Sequence, residues 1–177
     1  MYPGTYAQQH PQRPAVIMAA TGAIQTYAQL EARANQLAHA LRAFGLKRLD
    51  HYAIFMENNA AYIETCAAGE RAGLFYTCIN SYLTAEEMAY IVTNSESKVL
   101  ITSHSKLPLV QAALKDCPAV EQVLVVDSEG QLVVDSEGPG CSDYEQVISS
   151  YPEAPLEDET LGTSMLYSSG TTGRPKG

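Results

Sequence analysis

A chain of 177 residues has the length of one ordinary domain and can bury a real core. At 46% hydrophobic and 18% charged it is globular in composition rather than disordered. A formal net charge of −9 argues against a protein that holds nucleic acid by electrostatics. The first stretch, MYPGTYAQQHPQRP, has no basic n-region, and the apolar run Ala15–Ala20 is too short for a signal core or a membrane span. A soluble, cytoplasmic protein is expected, with loose attachment to a membrane surface left open.

Residues 15–27 read as a hairpin: AVIMAA, a turn at Thr21-Gly22, and a return over Ile24–Tyr27. A helix follows, with Thr26 as N-cap and Gln29 completing a capping box. Leu30, Ala34, Leu37, Leu41 and Phe44 recur at spacings of four and three and form one core face, which Gly45 stops. YAIFM (52–56) predicts a buried strand, with Asn58 or Asn59 capping a helix that ends near Gly73. LFYTCI (74–79) is a second strand. Thr84 and Glu87 repeat the capping box ahead of Met88, Ile91 and Val92. KVLIT (98–102) predicts a strand, 105–116 a helix before Pro118, and QVLVV (122–126) a further strand.

Apolar, β-rich runs alternating with helices of about a dozen residues define an α/β fold with a parallel sheet covered on both faces. Val-Val-Asp-Ser-Glu-Gly at 125–130 returns identically at 133–138, a short echo to which no function attaches. Residues 139–160 mix Pro, Gly and acid and read as a solvated connection. LGTSMLY then returns to strand character.

Cys66, Cys78, Cys117 and Cys141 form no C-x-x-C pair and no metal-ligand spacing, so reduced and mostly buried thiols are expected. His10, His39, His51 and His104 are scattered, and His39 falls on the polar side of its helix, where a solvated ring is expected.

The chemistry concentrates in the last residues. Between Lys115 and Arg174 there is no Lys or Arg, while twelve Asp and Glu occur. Arg174 and Lys176 then appear among Gly170, Gly173 and Gly177. Glycines let successive backbone N–H groups converge on an anion. Ser168, Ser169, Thr171 and Thr172 add hydroxyl donors, and Lys176 adds a mobile charge. A Walker A loop does not match, because Pro175 stands where its second glycine is required. The Rossmann spacing does not match either, since Gly170 and Gly173 lie three apart and the loop follows a late strand. A Ser/Gly linker is the competing reading.

Ser168-Ser169-Gly170-Thr171-Thr172-Gly173-Arg174-Pro175-Lys176-Gly177 does fit the signature of the adenylate-forming (ANL) enzymes at every position. That signature runs, roughly, Ser/Thr, Ser/Gly, Gly, Ser/Thr, Ser/Thr, Gly, any residue, Pro, Lys, Gly. The chain therefore resembles this superfamily, and the resemblance extends upstream. TYAQLEARANQLAHAL resembles its first long helix, and Asn80-Ser81-Tyr82-Leu83-Thr84 through KVLIT is similar to the acyl-CoA synthetase branch. The Pro-rich DPxYP stretch of peptide-synthetase domains is absent. Bacterial fatty-acyl-CoA synthetases are the most similar in flavour.

The resemblance implies the N-terminal part of a large AMP-binding domain. Residues 1–160 would form its first α/β subdomain, and 161–177 a strand and phosphate loop opening the next. It implies a two-step ligase: a carboxylate attacks the α-phosphorus of Mg-ATP, releasing pyrophosphate, and the coenzyme A thiol then displaces AMP. It assigns Ser168, Ser169, Gly170, Thr171, Thr172, Gly173 and Lys176 to the β- and γ-phosphates, and leaves Arg174 facing solvent. Mg2+ ligands, adenine contacts, the acyl pocket and the catalytic lysine are expected after Gly177, so these 177 residues alone are expected to be inactive. A stand-alone nucleotide-binding or interaction module, and a ligase for aryl or sterol-derived acids, remain as alternatives.

Overall fold

The amino-terminal hairpin forms where its spacing predicts. In the computed structural model, which describes residues 4–128 and 139–168, β1 (Pro14–Ile17) pairs antiparallel with β2 (Ile24–Thr26). Gly22 turns the chain at φ +71°, a left-handed conformation that costs glycine no Cβ clash, and its N–H returns to the Met18 carbonyl at 2.7 Å. A short helix with no clear sequence signal, α1 (Gly4–Gln9), precedes the hairpin and stacks Tyr6 on Tyr27.

Helix α2 (Tyr27–Ala43) carries both of its sequence signals into structure. The Thr26 hydroxyl accepts the Gln29 N–H at 3.3 Å, and the Gln29 side chain accepts the Thr26 N–H at 2.8 Å. At the other end the Gly45 N–H (φ +87°) bonds the Arg42 carbonyl, and the Leu46 N–H bonds the Leu41 carbonyl. These two bonds satisfy carbonyls that a helix end otherwise leaves open. Leu30, Ala34, Leu37 and Leu41 are buried as a stripe, with Phe44 packed at its edge.

Six strands follow: β3 (His51–Phe55), β4 (Phe75–Cys78), β5 (Val99–Ser103), β6 (Gln122–Val126), β7 (Gly140–Asp143) and β8 (Thr163–Ser164). They form one wholly parallel sheet in the order β7-β6-β5-β3-β4-β8. Side chains alternate across it. Tyr52, Ile54, Ile101 and Leu124 point into a core covered by α2, α3 (Ala60–Ala72) and α6 (Tyr144–Ile148). Ala53, Phe55, Leu100 and Val123 point into a second core, covered by α4 (Ala85–Asn94) and α5 (Leu107–Ala113). Burial on both faces explains why these strands read as continuous apolar runs. The α4 capping box of Thr84 and Glu87 is present.

Several expectations are corrected. Residues 139–160 are not simply a solvated connection. Gly140–Asp143 pairs with β6, the Asp143 carboxylate caps α6 by accepting the Gln146 N–H at 2.7 Å, and Tyr144 and Ile148 enter the first core one helical turn apart. Cys-Ser-Asp has no apolar periodicity, so only the ladder from β6 makes it a strand. The segment 105–116 is divided into α5 flanked by 3-10 turns at His104–Lys106 and Leu114–Asp116, with Pro108 in the first turn of α5, where its missing N–H costs nothing. Asn59 is the N-cap of α3 without a side-chain cap bond, because its amide turns to the Met56 sulfur at 3.4 Å. His39 is half-buried and donates to the Ala154 carbonyl at 3.0 Å. The second copy of the six-residue echo lies outside the described residues.

A charged network ties α2, α3 and α6 together. Glu64, 0% exposed on α3, accepts from Arg33 at 2.6 and 2.8 Å, from the Tyr144 hydroxyl at 2.8 Å and from Gln25 at 2.7 Å. Arg33 also holds Glu145 with two bonds. Burial would lower the Arg33 pKa, but these two carboxylates more than offset it, so the guanidinium stays charged. Arg71, fully buried at the end of α3, grips Glu31 in a fork at 2.8 and 2.9 Å and also donates to Asn35.

His51 opens β3 stacked on Phe75, with ring centroids 4.8 Å apart and Nδ1 buried without a partner among the described residues. Burial holds its pKa below the ordinary histidine value, against the nearby carboxylates of Glu96 and Asp50. The native state therefore favours the neutral ring, and the unfolded chain takes up the proton first. This stability is present above about pH 6.5 and is lost as pH falls through the lower native value. The urea midpoint should decline below that pH in the wild type. The decline should be shallower in His51→Phe, which keeps the stack and removes the proton site. Identical slopes would show that His51 contributes nothing to acid sensitivity.

Candidate functional site

A parallel sheet gathers its strand carboxyl ends along one edge, and ligands of such sheets bind there. Strand β8 is parallel to β4 and leads the chain out at that edge toward the glycine-rich loop. Its approach is anchored by three backbone hydrogen bonds, one to α3 and two along β4. The Gly162 N–H bonds the Glu70 carbonyl at 2.7 Å, the Thr163 N–H bonds Leu74 at 3.1 Å, and the Met165 N–H bonds Tyr76 at 2.9 Å. Tyr167 packs against the second core and donates its hydroxyl to the Asn94 side chain at 2.7 Å, and burial raises its pKa. Ser168, the first residue of the phosphate signature, follows and is exposed. Ser169, Gly170, Thr171, Thr172, Gly173 and Lys176 lie outside the described residues, as does Arg174.

Two other polar features occur in the fold, the first of them at this edge. The strand order reverses between β3 and β5, where Glu57 follows β3 and Ser103 ends β5. The hydroxyls of Ser103 and Ser105 donate to the Glu57 carboxylate at 2.6 and 3.0 Å. Burial alone would raise the Glu57 pKa, but these hydroxyls and nearby Lys106 hold it below the usual range. Sequence reasoning missed this cluster. The pair Ser103-x-Ser105 just past a predicted buried strand was its only signal. Its donors are already spent on a carboxylate, which repels phosphate.

The second feature is an open groove of about 780 Å³ along α4, with Tyr90 and Asn94 in its lining. Glu86, Glu87, Glu96 and Asp116 line it, so it is also unsuited to an anion. Of these features, only the sequence beginning at Ser168 has the composition of a phosphate cradle. Ser168, four residues past the end of β8, presents an exposed side chain at the start of the stretch that the resemblance assigns to the ATP phosphates.

The AMP-binding enzyme family matches residues 5–177, and the chain belongs to that family. Among curated relatives it is 30% identical over 176 residues to a medium-chain-fatty-acid–CoA ligase of Ectopseudomonas oleovorans, covering 97% of this chain and 32% of that protein. It is 35% identical over 164 residues to a 3-oxocholest-4-en-26-oate–CoA ligase of Rhodococcus rhodochrous, covering 92% of this chain and 29% of the relative. An acetyl-coenzyme A synthetase of Coprinopsis cinerea is 31% identical over 97% of this chain and 28% of its own. The chain thus spans about a third of the length of these relatives. Its fold is that of solved acid–CoA ligases. The anthranilate CoA ligase AuaEII superposes with a TM-score of 0.82 at 23% identity, over 98% of this chain and 33% of its own. A Mycobacterium tuberculosis fatty acyl CoA synthetase superposes with a TM-score of 0.79 at 24% identity, over 98% and 32%. Among the described residues, no helix is long and apolar enough to cross a membrane.

Proposed function

We propose that this chain is the phosphate-gripping, N-terminal part of an AMP-forming acid–CoA ligase that works in the cytoplasm on fatty acids. The observation that carries the reading is the ten-residue loop from Ser168 to Gly177, led from the carboxyl edge of a parallel sheet in a chain of the AMP-binding enzyme family. The fatty-acid and sterol-acid relatives support a carboxylate with an extended apolar body, while the acetyl-coenzyme A synthetase relative supports a short one, so the choice of acid rests on the exchange experiment below.

In this reading residues 1–160 are the supporting subdomain, and 161–177 carry the grip. Mg-ATP supplies the activated phosphorus and the pyrophosphate leaving group; coenzyme A is the thiol co-substrate. The hydroxyls of Ser168, Ser169, Thr171 and Thr172 and the amides around Gly170 and Gly173 orient the β- and γ-phosphates. Lys176 meets the charge that builds on them as pyrophosphate leaves. Charge-assisted bonds of this kind contribute about 1.5–3 kcal/mol. In a ligase of the relatives' length carrying this segment, Lys176→Ala should therefore slow carboxylate-dependent ATP–pyrophosphate exchange about tenfold to a hundredfold, with the unfolding midpoint unchanged. An unchanged exchange rate would remove Lys176 from the site. Running the exchange with acetate, medium-chain and long-chain fatty acids, benzoate and a sterol side-chain acid names the substrate, and exchange with benzoate alone would overturn the fatty-acid assignment.

A further inference from the structure

Cys66 on α3 and Cys78 at the end of β4 meet in the layer between helix and sheet, with Sγ atoms 3.8 Å apart and no disulfide between them. Gly73, at φ +68°, turns the chain so that β4 runs back beneath α3. Both thiols are partly buried at the edge of the first core, and Tyr62, one helical turn before Cys66, places its hydroxyl on Cys78. The other two cysteines have no such partner: Cys117 faces the Ala89 carbonyl and Cys141 the Pro139 carbonyl. We propose that Cys66 and Cys78 form an oxidisable dithiol that closes to a disulfide when a hydroperoxide reaches it.

The two sulfurs have different roles. Hydrogen bonds from Cys66 and then Tyr62 pull the Cys78 pKa below the ordinary thiol value despite burial, whereas its partner's proximity pushes Cys66 up. The Tyr62 hydroxyl meets Cys78 and not Cys66, and Glu70 lies near Cys66, so the attack is assigned to Cys78 and the resolving step to Cys66. The Cys78 sulfur attacks one peroxide oxygen. An S–O bond forms, the O–O bond breaks, and hydroxide leaves with the second oxygen. The Cys66 sulfur then attacks the Cys78 sulfur. The S–S bond forms, the S–O bond breaks, and water leaves with the Cys66 proton. The proton first lost from Cys78 neutralises the hydroxide. Two thiols lose two electrons, and hydrogen peroxide becomes two waters. The sulfurs start in van der Waals contact and need to close to about 2.0 Å.

The test uses the folded 177-residue chain and near-stoichiometric hydrogen peroxide, followed by alkylation and tryptic mapping without reductant. Cleavage at Arg71 separates the two cysteines, so a disulfide joins two peptides. The expected product is a 66–78 linked pair, reversed by dithiothreitol, with Cys117 and Cys141 alkylated. Before oxidation, Cys78 should alkylate about tenfold faster at neutral pH than Cys117, whose pKa burial raises. Linkage through Cys117 or Cys141, or sulfinate accumulating on Cys78 while Cys66 remains free, would overturn the proposal. Cys66→Ser and Cys78→Ser should each abolish the linked pair. If either fails to fold, the wild-type map still decides.

Discussion

Replacing Arg33 with alanine should lower the unfolding free energy by about 3–5 kcal/mol, the cost of leaving a buried charge without its partner. Glu64 is 0% exposed, and in the variant its carboxylate would keep only the Tyr144 hydroxyl and the Gln25 amide. The reverse truncation is less severe. Glu64→Gln leaves Arg33, which is 28% exposed and still bonded to Glu145, free to turn toward water. A loss of about 1–3 kcal/mol is expected there, for one weakened set of buried bonds. Glu145→Ala removes a carboxylate that is 57% exposed and should cost at most about 1 kcal/mol. Urea titrations of the three variants test the order. If Arg33→Ala proved no more costly than Glu145→Ala, the pair would not bear on the α2–α3–α6 layer as described.

Gly162→Ala should be nearly as severe, for a steric reason. A Cβ at this position would stand 2.2 Å from the Gly69 carbonyl oxygen and 2.4 and 2.7 Å from the backbone oxygen and nitrogen of Leu74. All three are main-chain atoms of the α3–β4 junction, so no side chain can rotate to make room. The Gly162 N–H also satisfies the Glu70 carbonyl, one of the last in α3, and that bond goes with the shift. A loss of about 2–3 kcal/mol is expected from overpacking alone. Because β8 leads directly to Ser168, pyrophosphate exchange in a ligase carrying this segment should fall more than stability does. Retained exchange with a lowered midpoint would show that the loop does not depend on where β8 sits. Gly69→Ala is the instructive comparison: its Cβ would meet the Tyr52 ring and hydroxyl, a side chain with some freedom to yield.

These two sites also mark where sequence reading stops. Local chemistry determined the elements whose signals lie within a few residues. The capping boxes at Thr26 and Thr84 and the terminators Gly45 and Gly73 act over one turn of helix. The apolar runs of β3 to β6 report burial on both faces directly. The ten-residue loop signature and the α/β class were legible for the same reason, since each depends on residue type at fixed short spacing.

Tertiary structure alone decided the rest. Gly140–Asp143 is a strand because β6 offers it a ladder, although nothing in Gly-Cys-Ser-Asp asks for one. Nothing local to the sequence marks Glu64 or Arg71 for burial; α2 and α6 close over Glu64 with Arg33 and Tyr144, and Glu31 of α2 meets Arg71. Ser103 and Ser105 join Glu57 only because the order of strands brings β5 beside β3. Cys66 and Cys78 share no motif, yet a helix packed on a strand sets their sulfurs side by side. Spacing along the chain encodes hydrogen bonds and periodicities within one element. Pairings between elements depend on the order in which strands join and on which helix face lands on which sheet face, and both are settled by the collective burial of the two cores.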